Sequence, residues 1–208
     1  ETSLVANVND PATGQVGLGV EKVDKFGEFT GVAFEGATAE LISDNVAMTE
    51  DNGGSILAIT KPVGAQPWAG ATIKTLDAGV FISSVSKALQ LDVYAPKSGV
   101  TIRAKLEDSS DTTKYVETDV TNTVADGWET LTFDFAQHAT TPFDASYTYD
   151  KFSICYDFLG EAAGDTVYID NLVHFEAITE SSLALSQGDV VRADIASIED
   201  QDGMGDIT

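Results

Sequence analysis

The segment from Ala88 to Phe175 is a series of short runs of strand-like sequence separated by turn residues. Apolar and polar side chains alternate along three of these runs, which are residues 88–94, 100–107 and 128–135. Alternation with a period of two residues buries one face of a strand and exposes the other. Several such strands in succession, with Gly, Pro and Asp turns between them, predict an all-β fold and an antiparallel β-sandwich over residues 20–176.

The first half of the chain carries weaker strand signals. Asp51–Gly54 is a strong hairpin turn, and it predicts pairing between Val46–Met48 and Ser55–Ile59. Further strands are predicted at Val32–Phe34, Ala39–Ile42, Trp68–Leu76, Lys114–Val120 and Lys151–Phe158. No segment has the periodicity of a long amphipathic helix; the stretch from Val80 to Leu89 has room for one helical turn at most.

The flanks of the chain differ from its centre. Residues 1–19 predict an irregular leader, and residues 177–208 predict an acidic linker followed by the start of a further module. Within that tail Asp200–Gly203 has the outline of a calcium loop, but Ile198 stands where an EF-hand loop needs an oxygen ligand. An acidic turn is therefore the interpretation that we adopt there. The start at Glu1 without methionine predicts a mature or excised piece of a longer protein.

The net charge of −23 limits the partners of this chain. Phosphate polymers and anionic membranes would be repelled, which argues against nucleic acid and membrane as partners. No apolar run of the sequence reaches the length of a membrane span, and none of its segments predicts a signal peptide. Two compatible interpretations of the charge remain: a solvated acidic surface, and carboxylates that hold Ca²⁺.

Signals for catalysis are weak. Cys155 is the single cysteine, so no disulfide can form within the chain, and no recognisable Cys/His motif joins it to His138 or His174. We interpret it as a packed thiol. Glu117 and Asp119 have the spacing of a carboxylate pair on one strand face, but nothing around them matches a glycosidase motif. The sequence therefore predicts a protein that is not an enzyme.

Two phrases of the sequence resemble a known class of module. They are Asp-Gly-Trp-Glu-Thr-Leu-Thr-Phe-Asp-Phe (126 to 135) and Val-Tyr-Ile-Asp-Asn-Leu-Val-His-Phe (167 to 175). Both are similar to the jelly-roll carbohydrate-binding modules attached to secreted polysaccharide-degrading enzymes. The resemblance implies a noncatalytic jelly roll that binds a polysaccharide, a β-glucan such as laminarin or another marine glycan. It also implies an extracellular or cell-surface location and covalently linked neighbouring domains. The alternative is a structural or adhesive spacer that binds no glycan.

Five residues are the candidate ligand-binding set. By strand parity, polar and aromatic side chains on several strands face away from the apolar core, and a sugar site combines an aromatic platform with such groups. We predict one groove on one sheet face, with the ligand-binding residues Trp68, Gln90, Tyr94, Arg103 and Trp128. For Trp128 packing is favoured, because the Asp-Gly-Trp phrase serves packing in the modules that it resembles. For Trp68, packing and sugar stacking stay open.

The resemblance also implies a structural calcium ion. In modules of this type an acidic residue of the last strand often joins one near the first strand at a Ca²⁺ site. The matching residues here are Asp170 with Asp24 or Glu28. The alternative for the polar pair Asp170–Asn171 is a solvent-facing turn at a β-bulge.

Overall fold

The computed structural model describes residues 20–23, 28–43, 55–161 and 163–177. Several sequence predictions fall outside these ranges: the leader 1–19, the strand Val46–Met48, the turn Asp51–Gly54, and the tail beyond residue 177. Asp24 lies outside them as well.

The described residues form β-strands and contain no helix that could cross a membrane. The strands are β1 (Val20–Val23), β2 (Val32–Phe34), β3 (Thr38–Ser43), β4 (Ser55–Thr60), β5 (Gly70–Thr75), β6 (Ala88–Ala95), β7 (Thr101–Asp108), β8 (Asp111–Thr121), β9 (Gly127–Asp134), β10 (Lys151–Cys155) and β11 (Thr166–Ala177). The all-β prediction is confirmed.

These strands build two antiparallel sheets. The first sheet has the order β3-β4-β11-β6-β9, and β1 pairs with the C-terminal part of β11. The second sheet has the order β2-β5-β10-β7-β8. Because neighbours in the sheets are often distant in sequence, the chain crosses repeatedly from one sheet to the other. This is the antiparallel β-sandwich that the alternating runs predict.

The core consists of the apolar side chains that alternate along each strand. In the first sheet Leu89, Leu91 and Val93 of β6 are at most 2% exposed. In the second sheet the apolar side chains of β7 and β10 that belong to the core are Ile102, Ala104, Leu106, Phe152 and Ile154. Both sets belong to one buried cluster, so one face of each sheet packs against the core. The other face of each strand is left for polar side chains.

Two strands end or begin elsewhere than the sequence predicts. The run Lys151–Phe158 is a strand only as far as Cys155, because Asp157 and Leu159 have φ angles of +47° and +63°. Left-handed backbone cannot continue a strand, so the chain turns over residues 156–159. The predicted strand Trp68–Leu76 begins at Gly70, and Trp68 belongs to the preceding turn.

We expect Leu91→Ala to lower the free energy of unfolding by about 2–5 kcal/mol, because it removes a fully buried side chain between the two sheets. Chemical denaturation followed by circular dichroism measures the change. Val85→Ala is the control; Val85 is 74% exposed, and its truncation should change stability by less than about 0.5 kcal/mol. Equal effects of the two substitutions would contradict the assignment of Leu91 to the core.

Candidate binding cleft

A cleft of about 730 Å³ lies on the outer face of the second sheet. Every strand of that sheet contributes side chains to its surroundings, and two loops form a wall at one end. The residues that line it are Val32, Ala33, Phe34, Glu35, Trp68, Thr72, Thr75, Arg103, Lys105, Glu107, Glu117, Lys151, Ser153, Cys155, Phe158 and Leu159. We call this feature the cleft.

The floor of the cleft is made of side chains in cross-strand register. The middle row runs across all five strands of the sheet through Val32, Thr72, Ser153, Lys105 and Glu117. Facing Cβ atoms in such a row lie close enough for their side chains to interact. The Thr72 and Ser153 hydroxyls are accordingly hydrogen bonded at 3.0 Å. The floor is thus polar and held in place by its own contacts.

At the end of the cleft opposite the wall, a buried carboxylate forms ion pairs with two lysines. Glu107 is 6% exposed, and its two oxygens contact Lys105 Nζ at 2.9 Å and Lys151 Nζ at 3.2 Å. Lys105 Nζ also lies 4.5 Å from the centre of the Tyr115 ring. One carboxylate therefore fixes two ammonium groups on neighbouring strands, β7 and β10.

Arg103 organises the row nearest the wall. Its guanidinium donates two hydrogen bonds to the carboxylate of Asp119, at 2.7 and 2.8 Å, and a third to Glu117 at 3.1 Å. The bond to Asp119 raises the pKa of Arg103 above its usual value. The guanidinium carbon lies 3.8 Å from the centre of the Phe158 ring, so the planar group stacks on an aromatic side chain.

The wall of the cleft is apolar and partly exposed. It carries Trp68, which is 46% exposed, and Leu159, which is 67% exposed, beside the half-buried Phe158. Gly70 follows Trp68 at the start of β5, where a Cβ atom would meet the carbonyl oxygen of Ile154 at 2.1 Å. Only glycine lets β5 and β10 approach this closely at the foot of the wall.

A buried lysine joins the two loops of the wall. Lys61 is 3% exposed, and its Nζ donates to the carbonyl oxygens of Pro67 at 2.7 Å, Asp157 at 2.7 Å and Gly160 at 3.4 Å. The Leu159 amide also donates to the Pro67 carbonyl, at 3.0 Å. Burial lowers the pKa of Lys61, while the neighbouring Asp157 acts in the opposite direction.

Cys155 lies in the floor as a buried thiol. It is a free cysteine, 7% exposed, and burial raises the pKa of its thiol to about 12. A thiol attacks as its thiolate, which is scarce at neutral pH when the pKa is so high. The side chain therefore packs in the floor and offers no attacking group.

The outer face of the first sheet carries a separate row of aromatic residues. Tyr94 lies between Trp128 and Tyr168 in register, with ring centroids 5.8 and 5.9 Å apart and edge-to-face geometry. Gln90, on the same strand, donates through Nε2 to the Thr132 hydroxyl at 3.0 Å.

The prediction of one groove that contains all five candidate residues is wrong in its geometry. Arg103 and Trp68 line the cleft on the second sheet, whereas Gln90, Tyr94 and Trp128 belong to the outer face of the first sheet. Strand parity predicts a shared face only if β6 and β7 are neighbours in one sheet, and they are not. The residues between them instead carry the chain from one sheet to the other, and this places side chains of equal parity on opposite outer surfaces of the sandwich.

The calcium prediction is not tested by the described residues. They contain no group of three or more His, Cys, Asp or Glu side chains that could hold a metal ion, and Asp24 is not among them. Glu28 lies beside β5, where its carbonyl accepts from Lys74 Nζ at 2.8 Å. Asp170 lies opposite Asp92 on the first sheet.

The alternative for Asp170–Asn171 agrees with the backbone. The register of β11 against β6 shifts between Asp170 and Val173, and Asn171 has a φ angle of +51°. The Asn171 amide donates to Asp92 Oδ2 at 2.8 Å, and the Asn171 backbone N–H donates to Asp170 Oδ1 at 2.8 Å. The polar pair thus marks a bulge whose side chains are hydrogen bonded.

Sequence reasoning missed several residues of the cleft. Lys151 and Ser153 share a face with Cys155 by simple alternation, a signal that was present in the sequence. Phe158 is the last residue of the predicted strand Lys151–Phe158, which ends at Cys155 in the structure, and Leu159 follows it directly, so alternation placed neither side chain. Lys61 carried no signal beyond its position after the apolar strand β4.

The fold is that of known carbohydrate-binding modules. A crystal structure of a family 30 carbohydrate-binding module matches with a TM-score of 0.51 and 14% identity, over 79% of this chain and 95% of that one. The family 30 module of a cellulosomal cellulase from Clostridium thermocellum matches with a TM-score of 0.50 and 14% identity, over 75% and 96%. An arabinose-bound α-L-arabinofuranosidase matches over 73% of this chain but 25% of its own, with a TM-score of 0.50 and 14% identity. No protein-family model and no curated protein matches the sequence.

We expect Cys155 in the folded protein to resist iodoacetamide at about pH 8, because its thiol stays protonated up to a pKa of about 12. The same protein unfolded in guanidinium chloride should react, since the pKa of an exposed cysteine is about 8.5. Mass spectrometry measures the added carbamidomethyl group. Alkylation of the native protein at the rate of the unfolded chain would contradict the buried position.

Proposed function

We propose that this protein is a noncatalytic module that binds a polysaccharide in the cleft of the second sheet. The observation that carries the proposal is an exposed Trp68 at the end of a floor of fixed polar side chains. Sugar rings have apolar C–H faces that stack on aromatic side chains, and hydroxyl groups that exchange hydrogen bonds with ionised and polar groups. The cleft combines both requirements over the width of five strands.

The charges of the floor favour an uncharged glycan. Three cationic side chains, Arg103, Lys105 and Lys151, and three anionic ones, Glu35, Glu107 and Glu117, line the cleft, and Asp119 beside it pairs with Arg103. Each cation already has a carboxylate partner, so the set offers donors and acceptors without an excess of either charge. A sulfated or uronic acid polymer would also meet the repulsion of a protein with a net charge of −23.

A β-glucan such as laminarin is the first ligand that we propose, with another marine glycan as the next choice. We further propose a secreted or cell-surface location and attachment to neighbouring domains of a longer chain. The likeness to a module of a cellulosomal cellulase supports this context. A structural or adhesive spacer would have the same fold, and glycan binding separates the two.

We expect Trp68→Ala to weaken glycan binding by about 1–3 kcal/mol while the melting temperature changes little, because an exposed aromatic platform is a typical binding hot spot. Isothermal titration calorimetry of wild type and variant with laminarihexaose, cellohexaose and mannohexaose measures the affinities.

Tyr94→Ala is the matched control, because it removes an aromatic ring from the outer face of the first sheet. If the cleft is the site, this variant keeps the affinity of the wild type. Loss of binding in Tyr94→Ala with retention in Trp68→Ala would move the site to the first sheet. Failure of the wild type to bind any of the three oligosaccharides or laminarin would favour the spacer.

We also propose a structural Ca²⁺ held in part by Asp170 and an N-terminal carboxylate, Asp24 or Glu28. Excess EDTA should then lower the melting temperature and added calcium should restore it, because an ion bound only by the folded state stabilises that state. Asp170→Asn should remove the dependence on calcium, and Asp77→Asn, an exposed loop carboxylate, should leave it intact. An unchanged melting temperature in EDTA would contradict the proposal.

A further inference from the structure

We propose that Lys61 is the positioning residue of the cleft, and that its buried ammonium group sets the aromatic wall in its binding geometry. The inference rests on the proposed function for its consequence in binding, but its structural part can be tested without a ligand. Lys61 itself is not among the residues that line the cleft, so it would act through Trp68, Phe158 and Leu159.

The contacts of the ammonium group join two loops that are distant in sequence. One loop links β4 to β5 and supplies the carbonyl of Pro67, next to Trp68. The other links β10 to β11 and supplies the carbonyls of Asp157 and Gly160, on either side of Phe158 and Leu159. An ammonium group has three donors, and here each has a carbonyl within 3.4 Å. One ammonium group therefore contacts the backbone beside all the apolar side chains of the wall, in addition to the direct bond from the Leu159 amide to the Pro67 carbonyl.

The second loop needs such a restraint because its backbone is strained. Asp157 and Leu159 both have positive φ angles, which are uncommon for residues other than glycine. A Cβ atom at Gly160 would meet Asp157 Oδ1 at 2.0 Å, so the turn is folded tightly on itself. Strained residues persist where the surroundings fix them, and the Lys61 contacts on both sides of residues 158 and 159 do so.

The cost of burying the lysine indicates that the contacts matter. Lys61 is 3% exposed, whereas lysine is rarely buried unless its charge is compensated. A loop connection with no further role would be served as well by ordinary backbone bonds. Two of these already surround Lys61, since its amide donates to the Asp165 carbonyl at 3.0 Å and its carbonyl accepts from the Gly164 amide at 3.0 Å.

The first experiment needs no glycan. The chain has two tryptophans, so a ¹H–¹⁵N spectrum should show two indole N–H signals, and the spectrum of Trp68→Phe would assign them. We expect Lys61→Met to shift or broaden the Trp68 signal and to leave that of Trp128 in place, because Trp128 belongs to the other sheet. Tyr149→Phe is the matched control. It removes a buried hydroxyl that accepts from the Asp144 amide at 2.9 Å beyond the far end of the cleft, and it should move neither signal.

The second experiment is a double-mutant cycle with the oligosaccharide that the wild type binds best among laminarihexaose, cellohexaose and mannohexaose. We expect Lys61→Met to lower the affinity about as much as Trp68→Ala, by about tenfold or more. The double variant should lose less than about twofold beyond Trp68→Ala, because residues that act through one another are not additive. Tyr149→Phe should keep the wild-type affinity even where its melting temperature falls to that of Lys61→Met.

Each outcome bears on one proposal. An unchanged Trp68 signal in a folded Lys61→Met protein would overturn the positioning role, as would additive losses in the cycle or an equal loss of affinity in Tyr149→Phe. If Lys61→Met does not fold, Lys61→Gln, which keeps two donors, takes its place in both experiments. If the wild type binds none of the oligosaccharides, the proposed function fails, and the indole signals still decide whether Lys61 positions the wall.

Discussion

The burial of one face of every strand against the opposite sheet is the constraint on which the rest of this structure depends. Leu91 of the first sheet and Leu106 of the second are both fully buried in the same cluster. Because the period of a strand is two residues, each buried side chain commits its neighbours to an outer surface. The floor of the cleft consists of the side chains of the second sheet that face away from the core.

Those outer side chains are ordered by one another. Glu107 holds two lysines, and the carboxylates of Glu117 and Asp119 hold Arg103. Isolated pairs at a surface contribute little to stability, since solvent screens them and long side chains lose entropy. Here the ion pairs fix the orientation of the polar side chains in the floor. Side chains that are already oriented lose less conformational entropy when a ligand binds.

The sequence was sufficient to predict which side chains of a strand face outward. It was insufficient to predict which strands are neighbours in a sheet. Alternation correctly placed Gln90 and Arg103 on outward faces, because burial dictates parity locally. It could not tell that the two residues face away from each other across the sandwich. That outcome depends on whether the chain between β6 and β7 returns along the same sheet or crosses to the other, and a short turn sequence is compatible with both. The all-β fold was therefore predictable, whereas the composition of one site was not.

The wall escaped prediction for a different reason. Phe158 and Leu159 continue an apolar run that has the pattern of a strand, and the left-handed backbone at Asp157 interrupts it. Lys61 gave no signal, since a lysine after a strand is ordinarily a solvated end. The burial of Lys61 involves contacts between segments about a hundred residues apart, such as Lys61 Nζ with the Asp157 carbonyl. Local sequence does not contain such information.

Both wall loops carry the chain from one sheet to the other, from β4 to β5 and from β10 to β11. Because both loops contact the same ammonium group, a change in one loop affects the other. A loop of different length would displace a carbonyl that Lys61 Nζ contacts. The ammonium group would then restrain the other loop less well. If Lys61 positions the wall as we propose, a changed wall needs both loops to be exchanged together, while the floor of the sheet stays unchanged.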